Sequence, residues 1–284
     1  MKKGKEKDIF QLTHGHLKDQ YMNATFSSAD STDKLTPIQQ IAVDQSEKKA
    51  KVSSKNTYLN VLERFISLDY SDDHLKTTLN YIRDDVKPVI HIMIETLIQY
   101  FIDDGFYRNQ FETHKSRGTL SSAARLSWEK NLFRGVYDIS TGPEKVKYGA
   151  LNLLNCKNGV ISAHRYGDSY MILKEHVKNR ITFASGDSAS MQLHLGTFKN
   201  PGILLNVIDD GLLKELIEIS NGLKESSATP YGYVEMQVHG KINIKKDVHM
   251  IVVNDRHQNN EELVKKLDHL KERDNVEWMF AAWI

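Results

Sequence analysis

Glu235, Gln237 and His239 alternate with Val234, Met236 and Val238 along Tyr231-Gly-Tyr-Val-Glu-Met-Gln-Val-His-Gly240. On a strand this alternation sets a carboxylate, an amide and an imidazole in one row, with neighbours about 7 Å apart, and turns the apolar residues to the other face. A polar row bounded by glycines reads as the floor of a site, because a glutamate on a central strand needs a partner.

Three further clusters hold residues of the right chemistry: Tyr107, Arg108 and Gln110; Tyr148 beside Gly149; and Ser185-Gly-Asp-Ser188. One arginine on an edge strand is ordinarily salt-bridged; its functional alternative is a phosphate or ribose clamp using the guanidinium fork. Asp187 is ordinarily a turn residue in such a tripeptide. Beside a pocket its carboxylate would accept a proton or orient a hydroxyl.

The histidines give no metal centre. His194, His239 and His249 lack the i,i+4 helical spacing of a zinc protease, and Cys156 is the sole cysteine. One cysteine also excludes an internal disulfide and fits a reducing compartment. No phosphate-cradling glycine loop, nucleophile elbow or dinucleotide fingerprint is present.

Elements must position these residues. At 284 residues, 40% hydrophobic and 26% charged, the chain has the composition of a soluble globular protein of one or two domains. A net charge of +1 gives no reason to expect a nucleic-acid partner. The longest apolar stretch, Val89 to Phe101, is interrupted by His91, Glu95 and Gln99, so no membrane span is expected. The basic start, Met1-Lys-Lys-Gly-Lys-Glu-Lys, has no apolar core after it, which excludes a standard signal peptide.

Residues 1–34 read as a disordered or leader-like tail. Residues 35–104 read as a helical region: a helix opened by Thr36-Pro37, a second over Tyr58 to Leu68, a third from Ser71 and a fourth running from Pro88 through Phe101. Residues 105–284 read as an α+β domain with a mostly antiparallel sheet. Its expected strands are Phe106–Thr113, Tyr166–Lys174, Arg180–Ser188, Tyr231–Gly240 with Ile242–Asn254 as its hairpin partner, and Val276–Ile284. Val146–Leu154 is a strand or a helix. Ser121–Arg134, with Leu126, Leu132 and Phe133 inward, Asp209–Leu223 and Asn259–Asp274 are expected helices.

Six words fall in a telling order: Phe106-Tyr-Arg-Asn-Gln-Phe-Glu-Thr113, Trp128-Glu-Lys-Asn-Leu-Phe-Arg-Gly135, Lys147-Tyr-Gly-Ala-Leu-Asn-Leu153, Arg165-Tyr-Gly-Asp-Ser-Tyr170, Arg180-Ile-Thr-Phe-Ala-Ser-Gly-Asp-Ser188 and Tyr233-Val-Glu-Met-Gln-Val-His-Gly240. Over roughly Leu35 to Asn254 that order resembles a bacterial family of CteC-like mono-ADP-ribosyltransferases, which modify a threonine of ubiquitin. The resemblance implies an ADP-ribosyltransferase-like split sheet, NAD as substrate without a metal, and ubiquitin as acceptor. It also implies a bacterial effector delivered into a host cell. Glu235 and Asp187 are the implied catalytic pair, with Asp168 the alternative second acid. Arg108 sits where the resemblance implies an NAD contact. The chemistry adds Ser188 for the pyrophosphate or ribose, and Gln110 and Gln237 as further dinucleotide contacts. Tyr148, Tyr166 and Phe183 are stacking candidates for nicotinamide that suit the core equally well. The paired acids of the toxin-like pattern are absent, since Glu235-Met-Gln237 replaces them, which argues against an arginine acceptor.

Three rivals remain at this level: an NAD glycohydrolase with water as acceptor, a non-enzymatic protein-binding module, and a metal hydrolase built on His194, His239 and Asp187.

Overall fold

The computed structural model describes residues 34–113, 122–184 and 195–282, without the side chains of 122–125. Asp187, Ser188 and His194 therefore lie outside the described residues.

Helix α1 (Pro37–Ser67) opens with Thr36, whose hydroxyl accepts from Gln39 N while Gln39 Oε1 accepts from Thr36 N, and Pro37 fills the first helical position. It runs unbroken through both segments expected from the sequence as separate helices. Next come α2 (Asp72–Asp84), strand β1 (Lys87–Ile92) and α3 (Ile94–Asp103). Residues 35–104 are therefore not helical throughout. Val89 to Ile92, expected inside a helix, are a strand buried on both faces; a short run of that kind lacks the one-sided stripe that marks a surface helix.

The strand expected over Phe106–Thr113 is cut to β2 (Phe106–Tyr107). There Asn109 Oδ1 accepts from Glu112 N at 3.1 Å and Glu112 Oε2 accepts from Asn109 N at 3.0 Å. That reciprocal cap starts the one-turn helix α4 (Gln110–Thr113). Helix α5 (Ser122–Phe133) buries Leu132 and Phe133 but leaves Leu126 exposed, against expectation.

The remaining strands are β3 (Lys147–Asn152), β4 (Ser169–Leu173), β5 (Ile181–Ala184), β6 (Leu195–Thr197), β7 (Glu235–Val238), β8 (Ile242–Asn243), β9 (Val248–Asn254) and β10 (Glu277–Ala281). The remaining helices are α6 (Gly202–Val207), α7 (Asp210–Ser220), α8 (Ile244–Asp247) and α9 (Glu261–Asp274). Eight strands form one sheet in the order β10-β9-β4-β1-β3-β7-β5-β6, antiparallel except for β10 with β9; β2 and β8 make a separate ribbon. An α+β fold with an N-terminal helical region and a largely antiparallel sheet is thus what the chain adopts.

The expected hairpin of Tyr231–Gly240 with Ile242–Asn254 does not form. Strand β7 sits between β3 and β5, whereas β9 pairs with β4 and β10. Gly240 has φ 83°, and Asn243 Oδ1 accepts from Lys246 N at 3.0 Å, capping α8 and turning the chain away.

One face of the sheet carries the main core, where Ile90, Ile92, Met171, Phe183, Met236 and Val238 meet the apolar faces of α2, α3, α6, α7 and α9. Register fixes the other face. Val89 pairs with Ala150, Ala150 with Glu235, Tyr148 with Gln237, and Gln237 with Thr182, so these side chains share one side. Two smaller apolar clusters flank it: Ile38, Ala42, Leu132, Phe133, Val136 and Tyr137 beyond β5, and Val89, Tyr170, Val252 and Ala281 towards β9.

Candidate functional site

Between those two clusters the floor is polar. Strand β7 alternates as its sequence requires, Met236 and Val238 entering the main core while Glu235, Gln237 and His239 face the other way. All three polar residues are buried: Glu235 is 7% exposed, Gln237 and His239 0%. Ala150 pairs directly with Glu235 on one neighbouring strand, and the β5 register brings Ala184 opposite it on the other.

The row is wired in one direction. Gln237 Nε2 donates to Glu235 Oε1 at 3.0 Å, and Thr182 Oγ1 donates to Gln237 Oε1 at 3.0 Å. The single hydroxyl proton of Thr182 is thereby spent, so at 3.2 Å Thr182 Oγ1 accepts from His239 Nε2. A neutral imidazole has one N–H, so His239 Nδ1 accepts from the Tyr137 hydroxyl at 2.6 Å. Each donor from Tyr137 onward points towards Glu235, and bonds aligned this way polarise one another in favour of a carboxylate at the end.

Electrostatics keep that assignment. Burial, followed by the charges of Arg180 and Lys147, pushes the His239 pKa down to about 3, so the ring is neutral near pH 7. Burial, then Glu129 and Glu144, raises Tyr137 well above the usual phenol value, so it keeps its proton. With both nitrogens engaged, His239 is a structural hydrogen-bonder rather than a metal ligand. Arg180 fixes the end of the row: its Nη1 donates to His239 O at 2.5 Å and its Nη2 meets Asp247 Oδ2 at 2.9 Å. Among the described residues no group of three or more His, Cys, Asp or Glu side chains is arranged to hold a metal ion.

At the other end, the 3-10 segment Ile161–Tyr166 meets the chain just before β7 through Tyr166 and Tyr233. The hydroxyls of Tyr166 and Tyr233 lie 2.8 Å apart, and Arg165 Nη2 donates to Tyr166 Oη at 2.7 Å. Burial, the Tyr166 hydrogen bond and the Glu235 charge together raise the Tyr233 pKa, which ties this corner to the carboxylate. A pocket of about 30 Å³ beside Tyr233 is lined by Asn152, Ser162, Thr229 and Tyr231 among others, room enough for a water molecule.

The expected site residues divide. Glu235, Gln237 and Tyr148 share the floor, and Tyr166 reaches it through Tyr233. The Tyr148 hydroxyl donates to Glu129 Oε1 at 3.5 Å, and Glu129, itself 1% exposed, meets Lys145 Nζ at 3.5 Å. Phe183 points to the opposite face, 1% exposed and packed edge-on against Phe198, so its ring serves the core and not a ligand. Arg108 pairs with Asp104 and lies over the Tyr100 ring, beside the β2–β8 ribbon, and Gln110 is on α4. Asp168 belongs to a different cluster, held by Arg256 and by His257 Nε2 at 2.8 Å. Sequence reasoning missed Tyr137, Thr182, Glu129, Arg165 and Tyr233 as site residues. The last four stand inside the quoted words, whereas nothing local marks Tyr137.

The model of the family described as protein of unknown function (DUF3626) matches residues 84–232, from the strand β1 region to just short of Glu235. No curated protein matches. Among solved structures, the chain is similar to Thermosipho africanus DarTG in complex with ADP-ribose, at 12% identity and a TM-score of 0.34, over 68% of this chain and 49% of that one. This chain thus spans about half the length of that protein, and a likeness of that size carries no functional argument.

Proposed function

For this chain, which belongs to the family described as protein of unknown function (DUF3626), we propose mono-ADP-ribosyl transfer from NAD to a protein acceptor. The observation that carries the reading is the buried Glu235 carboxylate, held by Gln237 at 3.0 Å and bordered by Ala150 and Ala184. The ordered words that resemble CteC-like transferases support it independently.

The chemistry follows from the carboxylate. The bond between C1′ of the nicotinamide ribose and the pyridinium nitrogen breaks, and nicotinamide leaves with the electron pair. Positive charge then grows on the sugar in an oxocarbenium-like state. Glu235 beneath that sugar stabilises charge that exists only in the transition state, and the wired row holds its side chain in place with no reorganisation. An acceptor hydroxyl oxygen then attacks C1′ and gives up its proton to a base, the role proposed for Asp187. Tyr148 and Tyr166 are the proposed ring contacts, and Arg108, Gln110 and Ser188 keep proposed dinucleotide roles.

Acceptor recognition is assigned to the N-terminal helices. Exposed large apolar side chains concentrate on α1, where Val52, Leu59 and Ile66 follow one another at seven-residue spacing on one stripe. Ubiquitin, through a threonine, is the first acceptor to test. Purified protein is incubated with labelled NAD and ubiquitin, and mass spectrometry locates the modification. Glu235→Ala is expected to lower the rate by about 10²–10³-fold. Wild-type protein that leaves NAD intact, or a variant that labels at the wild-type rate, overturns the proposal. Free ADP-ribose with no labelled protein reassigns the acceptor to water.

A further inference from the structure

Helix α1 carries an apolar stripe on the side away from its own fold. Its inward face is already packed, with Ala50, Val61 and Phe65 buried. Val52, Leu59 and Ile66 stand on the outer side, 58%, 67% and 59% exposed. A helix packed on one face needs one apolar stripe, so the second is surplus to this fold and marks a contact surface. Seven positions advance a helix by nearly two turns and about 10.5 Å, which sets the three residues in one line centred on Leu59.

Charge along the helix identifies the partner. The exposed lysines Lys48, Lys51 and Lys55 precede Leu59, and the exposed acids Glu63 and Asp69 follow it. The two acids of the first half, Asp44 and Glu47, are engaged by Gln40 and Asn200. Two copies laid side by side in the same direction would set lysines against lysines. Turned end for end about a two-fold axis at Leu59, the basic half of each meets the acidic half of the other. The same rotation brings Val52 level with Ile66 of the second copy, each seven positions from the axis. It brings Lys55 level with Glu63, each four positions away, and Leu59 meets itself. A surface complementary to itself under one rotation fits a second copy of this chain. We infer that α1 pairs antiparallel with α1 of a second copy, Leu59 on Leu59, closing the stripe in a symmetric dimer. The inference stands apart from the NAD reading. It gives the stripe assigned above to acceptor recognition a resting occupant, which the acceptor must displace.

The test uses the full chain in sedimentation equilibrium and in cysteine cross-linking. One helix from each copy makes a small interface, so a reversible dimer is expected between about 1 and 500 μM. Leu59→Glu removes the central apolar contact, sets like charges on the axis, and should weaken the dimer about tenfold or more. Leu59→Lys should do the same, and an equimolar mixture of the two variants should associate again because opposite charges then meet. The native Cys156 is buried, so an introduced cysteine reports alone. Leu59→Cys should cross-link to its own copy under mild oxidation. Val52→Cys should not, since its two copies stand about 21 Å apart along the helices, whereas Val52→Cys mixed with Ile66→Cys should. All three positions are exposed, so the variants should unfold at the wild-type temperature, and the cysteine variants carry the test if a charged one does not fold. Wild-type protein that stays monomeric through that range overturns the inference. So does Val52→Cys cross-linking as readily as Leu59→Cys, or a glutamate and lysine mixture that stays apart.

Discussion

Gln237 and Glu235, two positions apart on one strand, are joined by a buried hydrogen bond from Nε2 to Oε1 at 3.0 Å. The amide cannot release Glu235 without also abandoning Thr182, because its carbonyl oxygen is the acceptor for that hydroxyl. Replacing the amide by an acid tests the arrangement. Gln237→Glu sets two carboxylates in contact, which must then share a proton, and ionisation of the pair moves to higher pH. The acid limb of the pH–rate profile for NAD turnover should shift upward by about one unit or more. Gln237→Ala should lower the rate without moving the limb; an unmoved limb in Gln237→Glu refutes the coupling.

The far end of the same row makes a stability prediction. Tyr137→Phe removes the donor to His239 Nδ1 and leaves that nitrogen unpaired in a fully buried position. The cost should be about 1–3 kcal/mol in denaturant unfolding. Little change would mean that the imidazole finds another partner.

Two buried histidines predict acid sensitivity. The pKa of His239 and that of His91 are each held at about 3, burial being the first cause in both, against 6.5 when exposed. His91 accepts from Val160 N at 3.0 Å and meets Gly167 O at 3.1 Å, so a second ring proton would face the Val160 N–H. Between pH 6.5 and 3 the unfolded chain binds protons that the native chain refuses. Their contribution is therefore complete above pH 6.5 and declines below it, by about 1.4 kcal/mol per pH unit for each histidine. His91→Gln, which keeps a donor and an acceptor but does not titrate, should flatten the fall of unfolding temperature with acid over that range. An unchanged slope would assign the acid sensitivity to other groups.

Close packing gives a fourth test. A Cβ at Gly167 would lie 2.2 Å from the carbonyl carbon and oxygen of Ile92, both backbone atoms. Gly167→Ala must therefore push the Arg165–Tyr166 segment away from β1. A destabilisation of about 1–3 kcal/mol is expected by thermal unfolding, together with a raised KM for NAD. A wild-type KM would show that the segment shifts without consequence for the ligand.

How far the sequence could be read depended on the range of the forces involved. The period-2 alternation of Val234 to His239 is local, and it correctly placed Glu235 and Gln237 on one face. The same rule applied to Ile181-Thr-Phe-Ala184 puts Thr182 and Phe183 on opposite sides, but which of them meets Gln237 is settled by the β5–β7 register, a pairing across more than fifty residues. Val89 to Ile92 looked helical because Ile90 stands at helical spacing before Met93, Ile94, Leu97 and Phe101, and only the covering on both faces of the sheet explains the strand found there. The Asn109–Glu112 cap was legible and overlooked. Tyr137 was not legible: it stands outside the ordered words and meets His239 from 102 positions away.

Strand β1 lies between β3 and β4, at the middle of a sheet whose other seven strands come from beyond residue 146. Cutting the chain at 104 would thus extract a central plank and leave two edges of unpaired amides facing each other, so neither piece is a free-standing unit. Expressed apart, the fragments should stay inactive and mutually sticky, and regain structure only on mixing. A protease nick in the segment that joins them would be silent as long as the pieces stay together.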